Sequence, residues 1–327
     1  MAKIIINPDN ISFNADIGQS ILEAALQQHL NLPHGCKNGA CGACKCKVIS
    51  GDIILDKQKQ LTLSEDEKNQ GYTLLCKAHA NTDVELYIPN LLNSFPVKVL
   101  PAKVMSIVKT GSVAILKCKT PPNQKFGFFA GQYIEIILNG KNRSYSLANY
   151  SENGAEVEIH VKYHKGGVFS EYVWNDLITN TVLRFKGPLG NFKLQDSTKP
   201  IILVCTGTGF APIKSILESI SQLKINRQIS LYWGNRFQED FYLLDQLEIW
   251  KKELNINIKL CLSREKHDEF ISGYVTNCIE NDFENLNEYE MYACGNLKMI
   301  EDVYELCTLK LNLKKECFFS DAFTPSA

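Results

Sequence analysis

Five of the twelve cysteines lie within one short window of the sequence. Cys36, Cys41 and Cys44 have the spacing C-x4-C-x2-C, and Cys76 follows after 31 intervening residues. Four thiolates at this spacing are typical ligands of a 2Fe-2S cluster. Four small residues lie between the first three cysteines, and they let backbone N–H groups approach the cluster sulfides: Gly39, Ala40, Gly42 and Ala43. The alternative is a zinc site, which usually has paired C-x2-C knuckles and no such small-residue loop.

The fifth cysteine of the window, Cys46, is expected to be a bystander, with competition as a cluster ligand as the alternative. The segment Cys44-Lys-Cys-Lys-Val-Ile49 alternates as a strand leaving the loop would. His34 precedes Cys36 by two residues, and we expect it to be a surface residue, with tuning of the cluster as the alternative. The seven cysteines outside the window are scattered among apolar neighbours, which favours small buried hydrophobic side chains.

Two motifs in the middle of the chain, Arg143–Ser146 and Gly166–Ser170, resemble the flavin-binding signatures of the ferredoxin-NADP reductase superfamily. A guanidinium can clamp a phosphate, an aromatic ring can cover a flavin face, and a hydroxyl can bond near flavin N5. A glycine pair at a helix start exposes N–H groups to a pyrophosphate. Taken singly, each motif fits a solvated arginine on an edge strand or an ordinary Gly-Gly turn at least as well. The order of the motifs and their occurrence together favour the flavin site instead. The resemblance assigns these roles, in order, to Arg143, Tyr145, Ser146 and the group Gly166, Gly167, Val168 and Ser170.

A third motif follows the apolar run Pro200–Cys205, which is typical of a parallel strand buried on both faces. Thr206-Gly-Thr-Gly-Phe-Ala-Pro212 comes next, before a predicted helix over 213–223. Strand, glycine turn and helix form a phosphate cradle. The spacing differs from G-x-G-x-x-G, but the segment resembles the pyridine-nucleotide loop of the same superfamily. The residues assigned to cofactor binding here are Thr206, Gly207, Thr208, Gly209 and Pro212.

Near the C-terminus, Cys294-Gly295 with Met299 matches the superfamily sequence C-G-x-x-x-M at the nicotinamide pocket. The resemblance places Cys294 beside the site of hydride transfer, so Cys294 and Ser146 are the catalytic candidates. The alternative for Cys294 is a buried thiol at the end of a strand. Phe323, in a C-terminal segment that also resembles this group, is expected to cover the flavin, and an ordinary docked tail explains it nearly as well.

The preferred nucleotide is less well marked in the sequence. Ser263-Arg264 occupies the position at which NADP-using relatives hold the 2'-phosphate. Asp268 and Glu269 follow closely, and no second basic residue beyond Lys266 is apparent. We therefore expect NADH, with NADPH as the alternative.

Three predicted domains position these motifs, in a multidomain fold. Residues 1–92 resemble a plant-type 2Fe-2S ferredoxin with an α+β β-grasp fold, with a hairpin at its start and a helix over 24–30 opened by Ser20-Ile-Leu-Glu23. Residues 98–196 show short β-like runs between Gly, Pro and Asn turns, which predicts an antiparallel β-barrel that binds FAD. In residues 197–327, strands alternate with helices, which predicts an α/β doubly wound NAD(P)-binding domain.

Together the motifs resemble the three-domain iron-sulfur flavoprotein reductases along the whole chain. Within them the chain is most similar to the group that serves the CDP-6-deoxy-hexulose 3-dehydrase of 3,6-dideoxysugar synthesis, through Arg143–Asn149, Tyr232–Gly234 and Phe318–Phe323. The resemblance implies that electrons pass from NAD(P)H through FAD and a 2Fe-2S cluster to an acceptor protein, here a PMP-dependent dehydrase.

Three alternatives stay open at this point. One is the reductase component of an aromatic-ring dioxygenase or of a multicomponent phenol or methane monooxygenase, which shares the domain order. A redox-sensing module without turnover and a zinc-loaded structural adaptor are the others.

Composition excludes several classes of function. The 327 residues carry 35 basic and 36 acidic side chains, so the formal net charge of -1 disfavours nucleic acid and anionic membranes as partners. The apolar run at the start of the third predicted domain is far shorter than the ~20 residues that span a bilayer. Met1–Asn10 lacks the pattern of an export signal, so we expect a cytoplasmic protein.

Overall fold

A computed structural model describes residues 1–35, 37, 39, 42–56, 62–89, 91, 95–151 and 154–323. Their contacts divide the chain into two compact units. Unit 1 comprises Met1–Val99 and Lys186–Asn191, and unit 2 comprises Leu100–Phe185 and Phe192–Ala327. Among the described residues, no helix has the length and hydropathy that crossing a membrane requires.

Unit 1 is built on a five-stranded mixed sheet with a separate two-stranded sheet. Its strands are β1 (Ala2–Asn7), β2 (Ile11–Ala15), β3 (Lys45–Ser50), β4 (Ile53–Leu55), β5 (Tyr72–Leu74), β6 (Ala78–Ala80) and β7 (Val84–Tyr87), and its helices are α1 (Ile21–Gln27) and α2 (Glu65–Asn69). The large sheet has the order β2-β1-β7-β3-β5, with β1 and β7 parallel, and β4 pairs with β6. This arrangement confirms the predicted β-grasp fold.

The predicted N-terminal hairpin and capping residue are both present. Alternate residues of β1 and β2 are buried, as a half-buried hairpin requires. The Ser20 hydroxyl accepts a hydrogen bond from the Glu23 N–H at 3.2 Å. Because the cap is Ser20 itself, α1 begins at Ile21, three residues before the predicted start, and ends at Gln27.

The prediction that His34 is a surface residue is wrong. His34 is buried, its Nδ1 lies 2.6 Å from the carbonyl oxygen of Leu32, and its own carbonyl accepts from the Asn191 N–H at 3.0 Å. Burial, with the charge of Lys37, lowers the pKa of His34 to about 3. The contact with Asn191 comes from a segment far away in sequence, which local patterns do not reveal.

The first part of unit 2 makes up most of a curled antiparallel sheet with a helix against its core. The strands are β8 (Lys98–Thr110), β9 (Val113–Lys119), β10 (Tyr133–Leu138), β11 (Lys141–Ser146), β12 (Glu156–Lys162) and β13 (Val182–Leu189), and the helix is α3 (Val168–Asn175). The order is β11-β10-β13-β8-β9-β12, and a bridge between Leu147 and Ile159 joins the two ends of this order. Phe126, Phe169 and Phe185 lie in the apolar core that this sheet encloses.

The second part of unit 2 is a six-stranded parallel sheet. Its strands are β14 (Ile201–Thr206), β15 (Ile229–Asn235), β16 (Ile256–Leu262), β17 (Ile271–Ser272), β18 (Glu290–Asn296) and β19 (Phe318–Phe323), and its helices are α4 (Phe210–Gln222), α5 (Leu244–Glu253), α6 (Val275–Asp282) and α7 (Leu297–Glu305), with a π-helical turn at Leu306–Lys310 and 3₁₀ turns at Gly207–Gly209, Gln238–Asp240 and Lys315–Cys317. The order is β17-β16-β15-β14-β18-β19.

Helices cover both faces of this sheet, which confirms the doubly wound fold. Successive strand residues point to opposite faces. Leu231 and Trp233 of β15 pack in one apolar cluster with Ile216 of α4 and Trp250 of α5. Between them, Tyr232 reaches the other face, where its hydroxyl donates to the Asp282 carboxylate of α6 at 2.5 Å.

A buried ion pair lies at the amino ends of three of these strands. Arg227 and Glu290 are 2% and 6% exposed, and the guanidinium lies 2.7 Å from the carboxylate. We expect Arg227→Met to lower the free energy of unfolding by about 3–5 kcal/mol, because Glu290 is left as a buried charge without its partner. Urea unfolding followed by tryptophan fluorescence measures this, since Trp174, Trp233 and Trp250 all lie in unit 2.

The matched control for Arg227→Met is Lys251→Met, which breaks an exposed pair with Glu248. The control should cost less than about 1 kcal/mol. Equal losses in the two variants would contradict the prediction.

A second buried cluster makes unit 2 sensitive to acid. Burial lowers the pKa of His160 and outweighs its hydrogen bond with Glu158, which raises that pKa. Burial opposes ionisation of Glu158, but the hydrogen bond with His160 and the charge of Lys214 lower the pKa of Glu158 to about 2. Glu158 is therefore ionised and accepts from His160 Nε2–H, which leaves Nδ1 to accept from the Tyr242 hydroxyl at 2.9 Å.

The lowered pKa of His160 predicts how the free energy of unfolding changes with pH. Below the ordinary histidine pKa of 6.5 the unfolded chain binds a proton that folded His160 resists, so the free energy of unfolding falls as pH drops below 6.5. The slope contributed by one such proton is at most about 1.4 kcal/mol per pH unit. His160→Gln should show a shallower slope between pH 6.5 and 5 by tryptophan fluorescence, and identical slopes would contradict the assignment.

Candidate functional site

Two of the four predicted cluster ligands lie together in unit 1. Cys44 Sγ and Cys76 Sγ are 3.3 Å apart, and both side chains are buried. Cys44 lies immediately before β3, Cys76 follows β5, and the Leu75 N–H donates to the Cys44 carbonyl at 3.1 Å. The other two predicted ligands, Cys36 and Cys41, lie outside the described residues.

Two glycines that lie between the predicted ligands in sequence, Gly39 and Gly42, are required by their backbone conformation. Gly39 and Gly42 have φ of +86° and +72°, which only glycine adopts without strain. A Cβ on Gly42 would lie 3.1 Å from the Thr62 side chain, and a Cβ on Gly39 would lie 3.1 Å from Lys77. The Thr62 hydroxyl also donates to the Gly39 carbonyl at 3.3 Å. Two converging thiols beside a loop of small residues fit a 2Fe-2S cluster.

Cys46 differs from the ligands in its environment. It lies on β3, where it pairs with Thr73 of β5, and it is buried. Burial raises the pKa of the Cys46 thiol to about 12. Its place inside the paired strand β3, and not at the end of the loop, supports the prediction that Cys46 is a bystander.

The two flavin motifs come together in unit 2. Tyr145 of β11 packs on Phe169 in the first turn of α3, with ring centroids 5.2 Å apart. Burial raises the pKa of the Tyr145 hydroxyl. Arg143 lies two residues before Tyr145 and so on the same face of β11, while Ser146 ends the strand on the opposite face and is buried. Phe169 was not singled out from the sequence, although it lies inside the Gly166–Ser170 motif.

Gly166 and Gly167 form the turn that leads into α3, and their N–H groups already bond within the protein and are not directed at a ligand. The Gly166 N–H donates to the Glu171 carboxylate at 2.7 Å, and the Gly167 N–H donates to the His164 carbonyl at 2.9 Å. A Cβ on Gly167 would lie 2.5 Å from the Ser170 hydroxyl, which itself donates to the His164 carbonyl. Within the described chain, α3 has no side-chain cap, so its first-turn N–H groups from Val168 onward suit an anion.

The predicted nucleotide loop and the Cys294-Gly295 segment meet at the carboxyl edge of the parallel sheet. A Cβ on Gly209 would lie 2.4 Å from the Cys294 carbonyl oxygen, and a Cβ on Gly295 would lie 2.5 Å from the Thr206 hydroxyl. The Asn296 N–H donates to that hydroxyl at 3.1 Å. In parallel sheets this edge is where ligands bind. The close backbone approach leaves a cradle that only glycine permits.

Two residues of β15 complete this cradle and were missed from the sequence. The Gly207 N–H donates to Asn235 Oδ1, and Trp233 Nε1 donates to the Gly207 carbonyl, each at 3.2 Å. The Trp233 ring stacks on Phe210 at 4.0 Å. Asn235 Nδ2 is buried and has no hydrogen-bond partner within the described part of the chain, so a polar donor remains for a ligand. The signal in the sequence was that Asn235 ends a buried strand.

The remaining predicted residues of this site have different environments. Thr208 lies in the 3₁₀ turn, and Pro212 is buried in the first turn of α4. Cys294 is fully buried opposite Cys205, and burial raises the pKa of its thiol well above the usual value. Phe323 ends β19 beside Asn296 and is partly exposed. The roles of Cys294 in hydride transfer and of Phe323 over the flavin stay predictions.

The structure places a second basic residue, Arg236, near Arg264, the residue at the position where NADP-using relatives hold the 2'-phosphate. The Arg264 N–H donates to the Arg236 carbonyl at 3.2 Å, so the two exposed arginines follow neighbouring strands. Arg236 was missed because it lies 28 residues earlier in the chain.

Three domain families match successive parts of the chain. The 2Fe-2S iron-sulfur cluster binding domain matches residues 4–81, the oxidoreductase FAD-binding domain matches residues 102–194, and the oxidoreductase NAD-binding domain matches residues 203–305. The order confirms the predicted fold classes and cofactors. The exact domain boundaries at 92, 98 and 196 stay predictions.

Whole proteins with the same three parts are similar over almost the full chain. The CDP-6-deoxy-L-threo-D-glycero-4-hexulose-3-dehydrase reductase of Yersinia pseudotuberculosis serotype I is 36% identical and covers 99% of both chains. The xylene/toluene monooxygenase electron transfer component XylA of Pseudomonas putida is 31% identical, covering 98% of this chain and 93% of its own. The crystal structure of the Amycolatopsis cytochrome P450 reductase GcoB has a TM-score of 0.81 at 26% identity, over 100% of both chains. The chain therefore belongs to the family of NAD(P)H-dependent iron-sulfur flavoprotein reductases, which join a 2Fe-2S domain, an FAD-binding domain and an NAD-binding domain.

Proposed function

We propose that this reductase takes electrons from NADH and delivers them to a dehydrase that acts on a CDP-6-deoxy-hexulose. The observation that carries the proposal is the 36% identity to a dehydrase reductase along 99% of both chains. The acceptor expected from the sequence is a PMP-dependent dehydrase, and nucleic acid and membranes are not expected partners. We place the protein in the cytoplasm, as the sequence predicts.

The residues that hold the three groups are proposed from their positions. When bound, FAD accepts the electron pair of NADH as a hydride and releases electrons singly, and the 2Fe-2S cluster carries one electron at a time. Arg143 supplies a guanidinium to a cofactor phosphate, and Tyr145 supplies a ring to the flavin. The glycines of the loop that begins at Thr206, with Gly295, allow the dinucleotide to approach the backbone.

No general acid or base is required for this relay, because the electron pair enters as a hydride. The buried Cys294 thiol therefore needs no thiolate form for the proposed role beside the nicotinamide. Its environment, which disfavours the charged thiolate, agrees with a role in packing beside that ring.

The second candidate function is the reductase component of an oxygenase. The observation in its favour is the 31% identity to the xylene/toluene monooxygenase component over 98% of this chain. Aromatic-ring dioxygenases and multicomponent phenol or methane monooxygenases are the acceptor classes to compare. Both similarities cover almost the whole chain, so an assay with each acceptor distinguishes the two candidates.

The experiment is reconstitution under anaerobic conditions with the purified, cofactor-loaded protein. Stepwise NADH should bleach both the flavin and the iron-sulfur bands in the visible spectrum, and NADPH in a parallel titration tests the nucleotide preference. The dehydrase with its CDP-sugar substrate is then added, and turnover should depend on this protein. Bleaching without dehydrase turnover, together with support of an oxygenase component, would move the assignment to the second candidate.

A further inference from the structure

Helix α4 links the predicted nucleotide loop to the strand that carries the predicted flavin motif. Three of its side chains bond to the backbone of residues 148–150, which follow β11. Lys214 Nζ donates to the Ala148 carbonyl at 2.9 Å, and the Ser215 hydroxyl donates to the Asn149 carbonyl at 2.6 Å. The Glu218 carboxylate accepts from the Tyr150 N–H at 2.9 Å. One helix face thus holds three consecutive residues.

The same segment is also hydrogen-bonded to the curled antiparallel sheet, through residues of β12. The Ala148 N–H donates to the Glu158 carbonyl at 2.8 Å. The Asn149 side chain accepts from the Glu158 N–H at 2.8 Å and donates to the Glu156 carbonyl at 3.0 Å. Because Ser146 lies only two residues before Ala148, the flavin motif cannot shift against α4 without breaking these bonds.

Lys214 is the charged centre of this arrangement. It is 6% exposed, and its ammonium lies 3.0 Å from Glu158 and 2.5 Å from Glu218. A buried ion pair adds little net stability over apolar packing, because both charges lose their hydration. Its hydrogen bonds are directional, however. Because all of these buried polar groups are satisfied, α4 and residues 148–150 pack in one specific arrangement.

Lys214 lies close to the nucleotide loop, and a rigid helix connects the two. Lys214 lies five residues after Gly209, which spans about 7.5 Å along a helix. Gly209 itself contacts the backbone of Cys294 at the predicted nicotinamide pocket. A displacement of α4 against residues 148–150 is therefore transmitted to the loop.

We propose that Lys214 is a positioning residue for hydride transfer: with Glu158 and Glu218 it fixes the nucleotide loop against the flavin motif. The inference rests on the proposed function. In the step concerned, the C4–H bond of NADH breaks and its electron pair goes to the flavin as a hydride, so NADH is oxidised and the flavin is reduced. Such transfers need reacting atoms held about 3–3.5 Å apart, and a misplacement of about 1 Å costs about 100-fold in rate.

The test compares Lys214→Met with Lys117→Met. Lys117 pairs with the same Glu158 carboxylate at 3.6 Å but is 62% exposed, so it serves as the control. Stopped-flow reduction of the FAD- and cluster-loaded protein by saturating NADH should slow about 100-fold in Lys214→Met. The dissociation constant for NAD⁺, measured by calorimetry, should stay within about threefold, because Lys214 is placed to orient the loop and not to bind the nucleotide. Lys117→Met should match the wild type in both measurements.

A readout independent of activity is hydrogen exchange. The Tyr150 amide should exchange faster in Lys214→Met, since the repulsion between Glu158 and Glu218 frees Glu218 from its bond to that amide. If Lys214→Met fails to retain flavin, Ser215→Ala tests the positioning role instead, because it removes only the bond to the Asn149 carbonyl. We expect Ser215→Ala to slow flavin reduction about tenfold.

Reduction within about threefold of the wild type, in the variant that retains flavin, would overturn the positioning role. So would a rate of reduction that returns to the wild-type value when NADH is raised further, because the variant would then have lost only affinity for the nucleotide. A wild-type protein that NADH does not reduce would instead contradict the proposed function.

Discussion

Replacing Cys76 with serine should abolish the iron-sulfur absorption of the protein. Cys76 lies 3.3 Å from Cys44 in a buried pair of thiols, and a serine hydroxyl does not ionise to replace the thiolate as a cluster ligand. We expect the iron content to fall below about a tenth of the wild-type value, because each cluster needs all four ligands. Colorimetric iron and sulfide assays with the visible spectrum measure this. The flavin band should remain, since the flavin motifs lie in unit 2.

The control for Cys76→Ser is Cys46→Ser in the same window of sequence. Cys46 is also buried, but it lies inside β3, where it pairs with Thr73 of β5. The Cys46 variant should keep its full complement of iron and sulfide. Loss of iron in Cys46→Ser with retention in Cys76→Ser would show that the ligand set includes the fifth cysteine. A wild-type protein that binds zinc and no sulfide would contradict the cluster assignment itself.

Adding one methyl group at Gly209 should nearly abolish reduction by NADH. Its backbone has φ of -59° and ψ of -12°, which alanine adopts without strain, so the effect isolates a clash. The new Cβ would lie 2.4 Å from the Cys294 carbonyl oxygen and 2.8 Å from the Cys294 carbonyl carbon, both backbone atoms. Because β14 and β18 are paired there, the loop must move outward, and we expect a loss of about 100-fold in the rate of flavin reduction.

The measurement for Gly209→Ala is stopped-flow reduction by NADH beside reduction by dithionite. Dithionite should still bleach both chromophores, which shows that flavin and cluster are bound. The control is Gly140→Ala in the hairpin turn between β10 and β11, where an added Cβ meets no atom within 4 Å. That variant has a strained φ of +73° and should lose about 1 kcal/mol of stability with an unchanged rate of reduction by NADH. Equal rates of flavin reduction by NADH in Gly209→Ala and the wild type would contradict the prediction that the loop needs glycine at this position.

Local sequence signals predicted much of the fold. Ser20 caps α1, and the glycine turn after the apolar run Ile201–Cys205 leads into α4. These features depend on residues a few positions apart, so spacing is sufficient to find them. The exact ends of elements were less accurate, as the start of α1 shows.

Contacts between distant segments were not predictable in the same way. His34 was expected at the surface, but Asn191 covers its backbone. Asn235, Trp233 and Arg236 were missed because their importance comes from meeting Gly207 and Arg264, each more than twenty residues away. Local patterns contain no information about such pairings.

Short segments of the sequence encode the chemistry of this protein: a cysteine spacing for a 2Fe-2S cluster, a flavin motif and a nucleotide loop. How the flavin motif and the nucleotide loop are held together depends on contacts between distant segments of the folded chain. Glu218 and Tyr150 are 68 residues apart in sequence but bond at 2.9 Å, and Lys214 joins two carboxylates from different elements. The physical reason is that a buried charge must find partners wherever the packed chain provides them.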